Sequence, residues 1–308
     1  MFPLLPAGSA TLLGPGDDAA VVGAPDGRVV VSTDVLVEGR HFRRDWSSGE
    51  DVGRRAAVQN LADVAAMGAR PTSVVVTLVA PPDLPVDWVT GFARGLAAAC
   101  GPHDVGVVGG DLSGGDAVVV SVTVHGDLAG RAPVLRSGAR PGDVVAHAGV
   151  RGRSAAGLDL LLAGAGAAAP ELVRAYLRPE CPVAAGPAAA AAGATAMLDV
   201  SDGLLRDAAR IARASGVVLD LDAVSTAFPD DHAALGAAAV VLHRSPHDWI
   251  LVGGEDHGLL ATFPAGAALP EPFRRVGTVR PDPGDGVPVR VAGRVPPQGP
   301  TGWDHFGG

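Results

Sequence analysis

Aspartates recur in this chain where an apolar run breaks or meets a turn. Asp17 and Asp18 sit in GPGDDAAVV, Asp34 in VSTDVLVEGRH, Asp111 in VVGGDLSGG, and Asp199 and Asp202 in LDVSDGL. Asp63 lies inside a helical stretch among Leu61, Ala62, Val64 and Ala65, with Asn60 one turn earlier on the same face. Taken singly, each reads as readily as a turn former, and Ser201 as a helix cap. As a set they point elsewhere. A carboxylate buried without a cationic partner is costly, and converging carboxylates repel unless divalent cations lie between them. An all-oxygen donor set with few histidines favours Mg2+ over zinc. Magnesium held by carboxylates usually accompanies a phosphate ligand that completes its shell. Phosphate-binding elements are present without a P-loop. Gly109 and Gly110 before Asp111 can expose backbone N–H groups, the helix start after Ser201 offers unpaired donors, and Arg136 carries a planar guanidinium fork.

The elements that must hold these groups follow from periodicity. Residues 28–37, 73–79, 105–108 and 117–124 read as strands, the last two spaced like a hairpin. Between them a helix runs from Asp51, which can cap it, to Gly68, with Pro71 just beyond. A second helix, DWVTGFARGLAAACG, follows Pro85. The segment RSGARPGD at 136–143 has the character of a domain junction, which predicts one α/β unit over 1–137 and another over 138–308. In the second half VVAHAG, TAMLDV and VVLDLD read as strands, and SAAGLDLLLAG as a helix with Ser154 as its cap. SDGLLRDAARIARASG carries an apolar stripe at 204, 205, 208, 211 and 212 and ends at Gly216. WILVGG and GLLATF read as a strand pair, so VVGGD and LVGGE would each end a strand in Gly-Gly-acid, one per half. Strands near 276–279 and 288–291 follow.

Composition narrows the chemistry. A chain of 308 residues, 47% hydrophobic, can bury a sizeable core in two domains. Acidic residues outnumber basic ones 33 to 24, giving net charge −9, which argues against a general nucleic-acid or anionic-membrane surface. Lysine is absent, so mechanisms built on a Walker-A, protein-kinase or Schiff-base lysine are excluded. Cys100 and Cys181 are too few for a disulfide framework and lack metal-ligand spacing. MFPLLPAGSA has neither the basic start nor the apolar run of a signal peptide, and VAAGPAAAAAGATAML, broken by Pro187, is a poor membrane span. A soluble, cytoplasmic protein is expected.

In order along the chain, GPGDDAAVV, VSTDVLVEGRHF, NLADVAAMGARP, VVGGD, RSGARPGD, SAAGL, LDVSDGLLRD, LVGGED and GWDHF resemble the thiamine-monophosphate kinase family, within the aminoimidazole-ribonucleotide-synthetase-like superfamily. The likeness runs from about Gly14 to Phe306. GDDAAV and GGD are shared across the superfamily, whereas STDVLVEGRHF with NLADVAAMGA, LDVSDGL and GGED together mark this member. The resemblance implies an α/β (α+β) fold of two domains, with the N-terminal sheet joining its counterpart in a homodimer barrel. It implies ATP-dependent transfer of the γ-phosphoryl group directly onto thiamine monophosphate, with several Mg2+ ions and no nucleic-acid or membrane partner.

By motif, Asp18, Ser32, Thr33, Asp34, Asp63, Asp111, Asp199 and Asp202 match the magnesium ligands. Gly110, Asp111, Arg136 and Ser201 match the ATP contacts, and His41, Glu255 and Trp303 the substrate side. No general base is expected, because a phosphate monoester with a second pKa of about 6 is already largely ionised near neutrality. Two departures stand out. The chain reaches GPGDD where the family first has a helix with a Gly-Glu-Phe-like motif, and GGEDHG places His257 and Gly258 where the family has Tyr and Glu. Among sibling enzymes, selenophosphate synthetase needs an N-terminal cysteine, and none precedes Cys100. On the residues alone, a metal-dependent phosphohydrolase and a non-catalytic nucleotide or metal sensor stay open.

Overall fold

The computed structural model describes residues 4–14, 19–296, 299 and 301–303. The chain divides into two compact units, one of residues 1–65 and 69–132, the other of 66–68 and 133–308.

In the first unit, β1 (Thr11–Leu13) and β2 (Val21–Val22) pair as a separate antiparallel ribbon. The main elements are β3 (Val30–Val37), α1 (Gly49–Ala66), β4 (Arg70–Ala80), α2 (Val86–Cys100), β5 (Gly106–Gly114) and β6 (Val119–Asp127), with sheet order β3-β6-β4-β5. The hairpin expected from the spacing of β5 and β6 does not form. The long strand β4 lies between them, parallel to β5 and antiparallel to β6. A parallel pair needs a crossover, and α2 supplies it.

β3 is two-faced rather than an apolar strand interrupted by an acid. Ser32, Asp34 and Leu36 share one face and Val31, Thr33 and Val35 the other. Leu36 is 2% exposed, whereas Val31 and Val35 are 60% and 47% exposed. The buried face continues through Val120, Val122 and Val124 of β6 and receives α1, where a Cβ on Gly126 would come 2.3 Å from Val64 Cγ1.

α1 begins two residues before Asp51, and its cap is Ser48. The Ser48 hydroxyl accepts the Asp51 N–H at 3.3 Å while the Asp51 carboxylate takes the Ser48 N–H at 2.9 Å, a reciprocal capping box. α1 and α2 then touch backbone to backbone: a methyl on Gly53 would sit 2.2 Å from the Phe92 carbonyl oxygen.

The second unit comprises β7 (Val144–Ala148), α3 (Arg153–Leu162), α4 (Pro170–Leu177), α5 (Ala185–Ala191), β8 (Ala196–Val200), α6 (Leu204–Ser215) and β9 (Val217–Leu221). Short helices α7 (Val224–Ala227), α8 (Pro229–Ala234), α9 (Gly236–Leu242) and α10 (Pro246–Val252) follow, then β10 (Gly258–Phe263), β11 (Arg274–Pro281) and β12 (Val289–Val291). The six strands run in the order β12-β9-β11-β7-β10-β8, antiparallel except for β12 against β9. The expected stripe of α6 is buried, joining Leu198, Val200, Leu219, Leu260 and Val276 in one core.

WILV is helical, not a strand. Ser245 caps α10 by accepting the His247 N–H, and Pro246 occupies its first turn. LVGGE therefore follows a helix, and its echo of VVGGD is one of sequence only. The Ala-rich segment yields the seven-residue α5. Among the described residues no helix is long and apolar enough to cross a membrane.

His147 lies at the centre of this sheet with no exposure, and among the described residues neither ring nitrogen has a hydrogen-bond partner. Its ring meets Phe228 edge-on at 5.5 Å between centroids. Burial, with the positive charges of Arg151 and Arg274, holds the imidazole well below its usual pKa of 6.5. The folded state keeps His147 neutral while the unfolded chain binds a proton below that value. Its contribution to stability is thus complete above 6.5 and lost as pH falls, by about 1.4 kcal/mol per unit. Urea melts at pH 7 and pH 5 should show His147→Leu gaining about 2 kcal/mol on the wild type over that interval. Parallel pH profiles for the two proteins would refute this.

Candidate functional site

In the first unit the Ser32 hydroxyl donates to Asp63 Oδ2 at 2.6 Å, tying the buried face of β3 to α1. Asp34, two residues along, lies half-buried on the same face. One hydroxyl and two carboxylates thus gather as an all-oxygen group that suits a hard divalent cation. Thr33 turns its side chain to the other face, donating to the Val122 carbonyl at 3.0 Å and accepting from the Thr123 hydroxyl at 3.0 Å.

Asp111 does not join this group. It is exposed on β5, one edge of the sheet, in a row with Val35, Ser121 and Thr77. Asp34 is on β3, the opposite edge. Three strand spacings, roughly 14 Å, separate those edges. Gly110 lies so close to β4 that a Cβ would stand 1.9 Å from the Val76 carbonyl oxygen, so sheet packing alone demands glycine there. Asp18 lies outside the described residues. Among the described residues no three of His, Cys, Asp and Glu cluster tightly enough to hold a metal ion.

His41 closes a turn after β3. Its Nδ1 accepts the Val37 N–H at 2.9 Å, its own N–H reaches the Val37 carbonyl, and its carbonyl accepts Arg55 Nη1 at 2.7 Å. With Nδ1 an acceptor, the neutral ring carries its proton on Nε2.

In the second unit Asp199 is the penultimate residue of β8, 7% exposed, with His257 Nδ1 3.7 Å from its Oδ2. Ser201 does not cap α6. Asp207, inside the helix, reaches back to accept the N–H groups of Asp202 at 3.0 Å and Gly203 at 3.1 Å. Arg210 bridges Asp207, at 2.5 Å, and Asp202, at 2.6 Å. Burial, opposed by Arg210 but reinforced by Asp199 and Asp202, pushes the Asp207 carboxyl up to about 6.

Three chain segments meet at this turn. The Ser201 carbonyl accepts the Glu255 N–H, and the Asp202 carbonyl the Trp303 N–H, both at 2.8 Å. Glu255 holds φ +68°, a left-handed conformation uncommon outside glycine and costly unless its surroundings enforce it. Asp256 caps α3 in place of Ser154. Its carboxylate accepts the N–H groups of Gly152 at 2.5 Å and Ser154 at 2.8 Å and lies 3.4 Å from Arg151 Nη1. Burial pushes the Asp256 carboxyl up against the lowering effect of Arg151. Arg136 is exposed on a loop pinned by Ser215, whose hydroxyl donates to the Arg136 carbonyl at 3.3 Å and accepts the N–H groups of Gly138 and Ala139.

The structure therefore brings together Ser32, Asp34 and Asp63 in one unit and Ser201, Asp202, Glu255 and Trp303 in the other. It leaves the Thr33 side chain and Asp111 apart from the first group. Asp207, Arg210 and Asp256 escaped the sequence reading. For Asp207 a signal existed, an acid in the first turn of a helix. For Asp256 none did, because its N–H partners lie about a hundred residues away in the chain.

Residues 16–128 match the family described as AIR synthase related protein, N-terminal domain. Thiamine-monophosphate kinase of Mycobacterium tuberculosis is 50% identical over 299 residues, covering 97% of this chain and 87% of that one. The crystal structure of thiamine monophosphate kinase from Aquifex aeolicus aligns with TM-score 0.80 at 33% identity, over 91% of both chains. AaThiL complexed with AMPPCP and TMP aligns with TM-score 0.82 at 34% identity, over 94% of this chain and 91% of that one. With half of its residues identical over nearly its whole length to such a relative, the chain belongs to the thiamine-monophosphate kinase family.

Proposed function

We propose that this protein transfers the γ-phosphoryl group of ATP directly onto thiamine monophosphate, forming thiamine diphosphate in a Mg2+-dependent reaction. The observation that carries the reading is the Ser32–Asp63 contact beside Asp34, an oxygen-only group in a chain of this family. AaThiL has been seen with AMPPCP and TMP together, which supports the same pair of substrates here.

The acceptor is an ionised phosphate, so no residue has to remove its proton. The difficulty is bringing two polyanions into line within a protein of net charge −9. Bound magnesium would supply charge neutralisation and stabilise the charge on the transferring group. The chain's own task is to hold and orient. Ser32, Asp34 and Asp63 are assigned to metal holding as one group, and Asp18, Thr33 through its main chain, Asp111, Asp199 and Asp202 are assigned to metal holding by motif alone. Gly110, Asp111, Arg136 and Ser201 are assigned to ATP. His41, Glu255 and the aromatic ring of Trp303 are assigned to thiamine monophosphate.

A homodimer is part of the proposal. Val29, Val31 and Val35 are 54%, 60% and 47% exposed, and among the described residues no further strand pairs with the edges β3 and β5. A second copy joined into a barrel would cover both. We place the reaction in the cytoplasm, where ATP is supplied.

One incubation tests the function: protein, ATP, Mg2+ and thiamine monophosphate, with and without chelator, read by product mass. The expected product is thiamine diphosphate, lost with chelator. Phosphate release without the diphosphate would favour a hydrolase, and ATP binding without turnover a sensor.

A further inference from the structure

We propose that Arg206 is a positioning residue that fixes Trp303 for the thiamine ring system, so that its loss weakens thiamine-monophosphate binding while sparing the transfer step. This rests on the functional reading above, in which Trp303 faces the substrate.

The segment Thr301–Trp303 lies across the first turn of α6 and is held there by three hydrogen bonds. The Arg206 N–H donates to the Thr301 carbonyl at 3.1 Å, and the Trp303 N–H to the Asp202 carbonyl at 2.8 Å. The Arg206 guanidinium donates through Nη1 to the Trp303 carbonyl. The fit between backbones is close. A Cβ on Gly302 would stand 2.2 Å from the Asp202 carbonyl oxygen and 3.0 Å from Arg206 Cβ. Two of the three bonds come from Arg206, one from its main chain and one from its side chain. The guanidinium bond is charge-assisted, the stronger kind.

What this strap holds is not a core plug. Trp303 is 56% exposed, although its main chain is bonded on both the N–H and the carbonyl side. A large aromatic left open on a fixed backbone loses little freedom when a flat heteroaromatic ring, cationic in thiamine, stacks on it. The carbonyl bond from Arg206 sets the direction in which the indole leaves the strap. The same strap is anchored on the Asp202 carbonyl, so Trp303 is referenced to the turn that carries Asp202 and Ser201.

Steady-state kinetics of Arg206→Ala with Mg-ATP test this. The KM for thiamine monophosphate should rise about tenfold, matching one lost charge-assisted bond, with kcat and the KM for ATP within about twofold of wild type. Arg206→Lys, which keeps a donor, should recover part of the affinity and guards against a folding defect in the alanine variant. Trp303→Ala should itself raise that KM, and Arg206→Ala should add nothing in the Trp303→Ala background, since no indole remains to position. Independent of turnover, titration with unphosphorylated thiamine should quench tryptophan emission in wild type and less at equal concentration in Arg206→Ala. An unchanged KM in Arg206→Ala, or additive effects in the double variant, would overturn the proposal while the kinase reading stands. Absence of thiamine diphosphate from the wild-type enzyme would overturn the functional reading and this inference with it.

Discussion

Asp34→Ala is expected to lower turnover about a thousandfold, equivalent to roughly 4 kcal/mol of lost transition-state stabilisation, with the fold retained. The two halves of this expectation have separate causes. Asp34 sits half-buried on an edge strand, on the face it shares with Leu36 and opposite Val122, so its truncation opens no fully enclosed core cavity. What disappears is an anchor for a cation that both phosphate groups need. Asp63→Ala should be as damaging to turnover, since it also takes away the acceptor of the Ser32 hydroxyl. Turnover by product mass, thermal melts and calorimetric titration with Mg2+ alone would read all three consequences. Wild-type turnover in either variant would end the metal assignment.

Asp256→Ala should produce the largest loss of stability, about 3–5 kcal/mol, because Arg151 would remain as an uncompensated buried charge. Arg151 has no exposure and Asp256 only 2%. The carboxylate also supplies the acceptors for the first turn of α3, and loss of a cap alone costs about 1 kcal/mol. Asp256→Asn keeps an acceptor for one of the two N–H groups and should lose less. Urea unfolding at pH 7 distinguishes these cases. A loss below about 1 kcal/mol for the alanine variant would show that the buried pair is not an obligate unit. The prediction also separates neighbours: Glu255 holds a strained conformation beside the Ser201 carbonyl, whereas Asp256 faces inward and fastens α3.

Much was legible before any coordinates. Start and stop residues marked α1, apolar runs marked β3 and β4, and a 3.6-residue apolar stripe marked α6, whose one-sided burial writes itself into residue spacing. The acids of candidate function were legible for a different reason: a carboxylate in a strand or an apolar helix conflicts with local packing, and such conflicts collect at working sites. Ser154 and Ser201 looked like caps because caps are sought next to their helices, yet α3 is capped by Asp256 from a remote loop and α6 by Asp207 from within. WILV looked like a strand because a short apolar run is ambiguous until Ser245 and Pro246 are weighed as a helix start.

Residue type and local spacing carried the family resemblance, the exclusion of lysine-based mechanisms and most element identities, since these depend only on what neighbours in the chain can do. Strand order, the face each acid occupies and the partner that satisfies each buried charge came from folding. The separation of Asp34 from Asp111 on opposite edges and the strap that Arg206 lays under Trp303 are contacts between distant segments. Their free energy arises only when those segments meet.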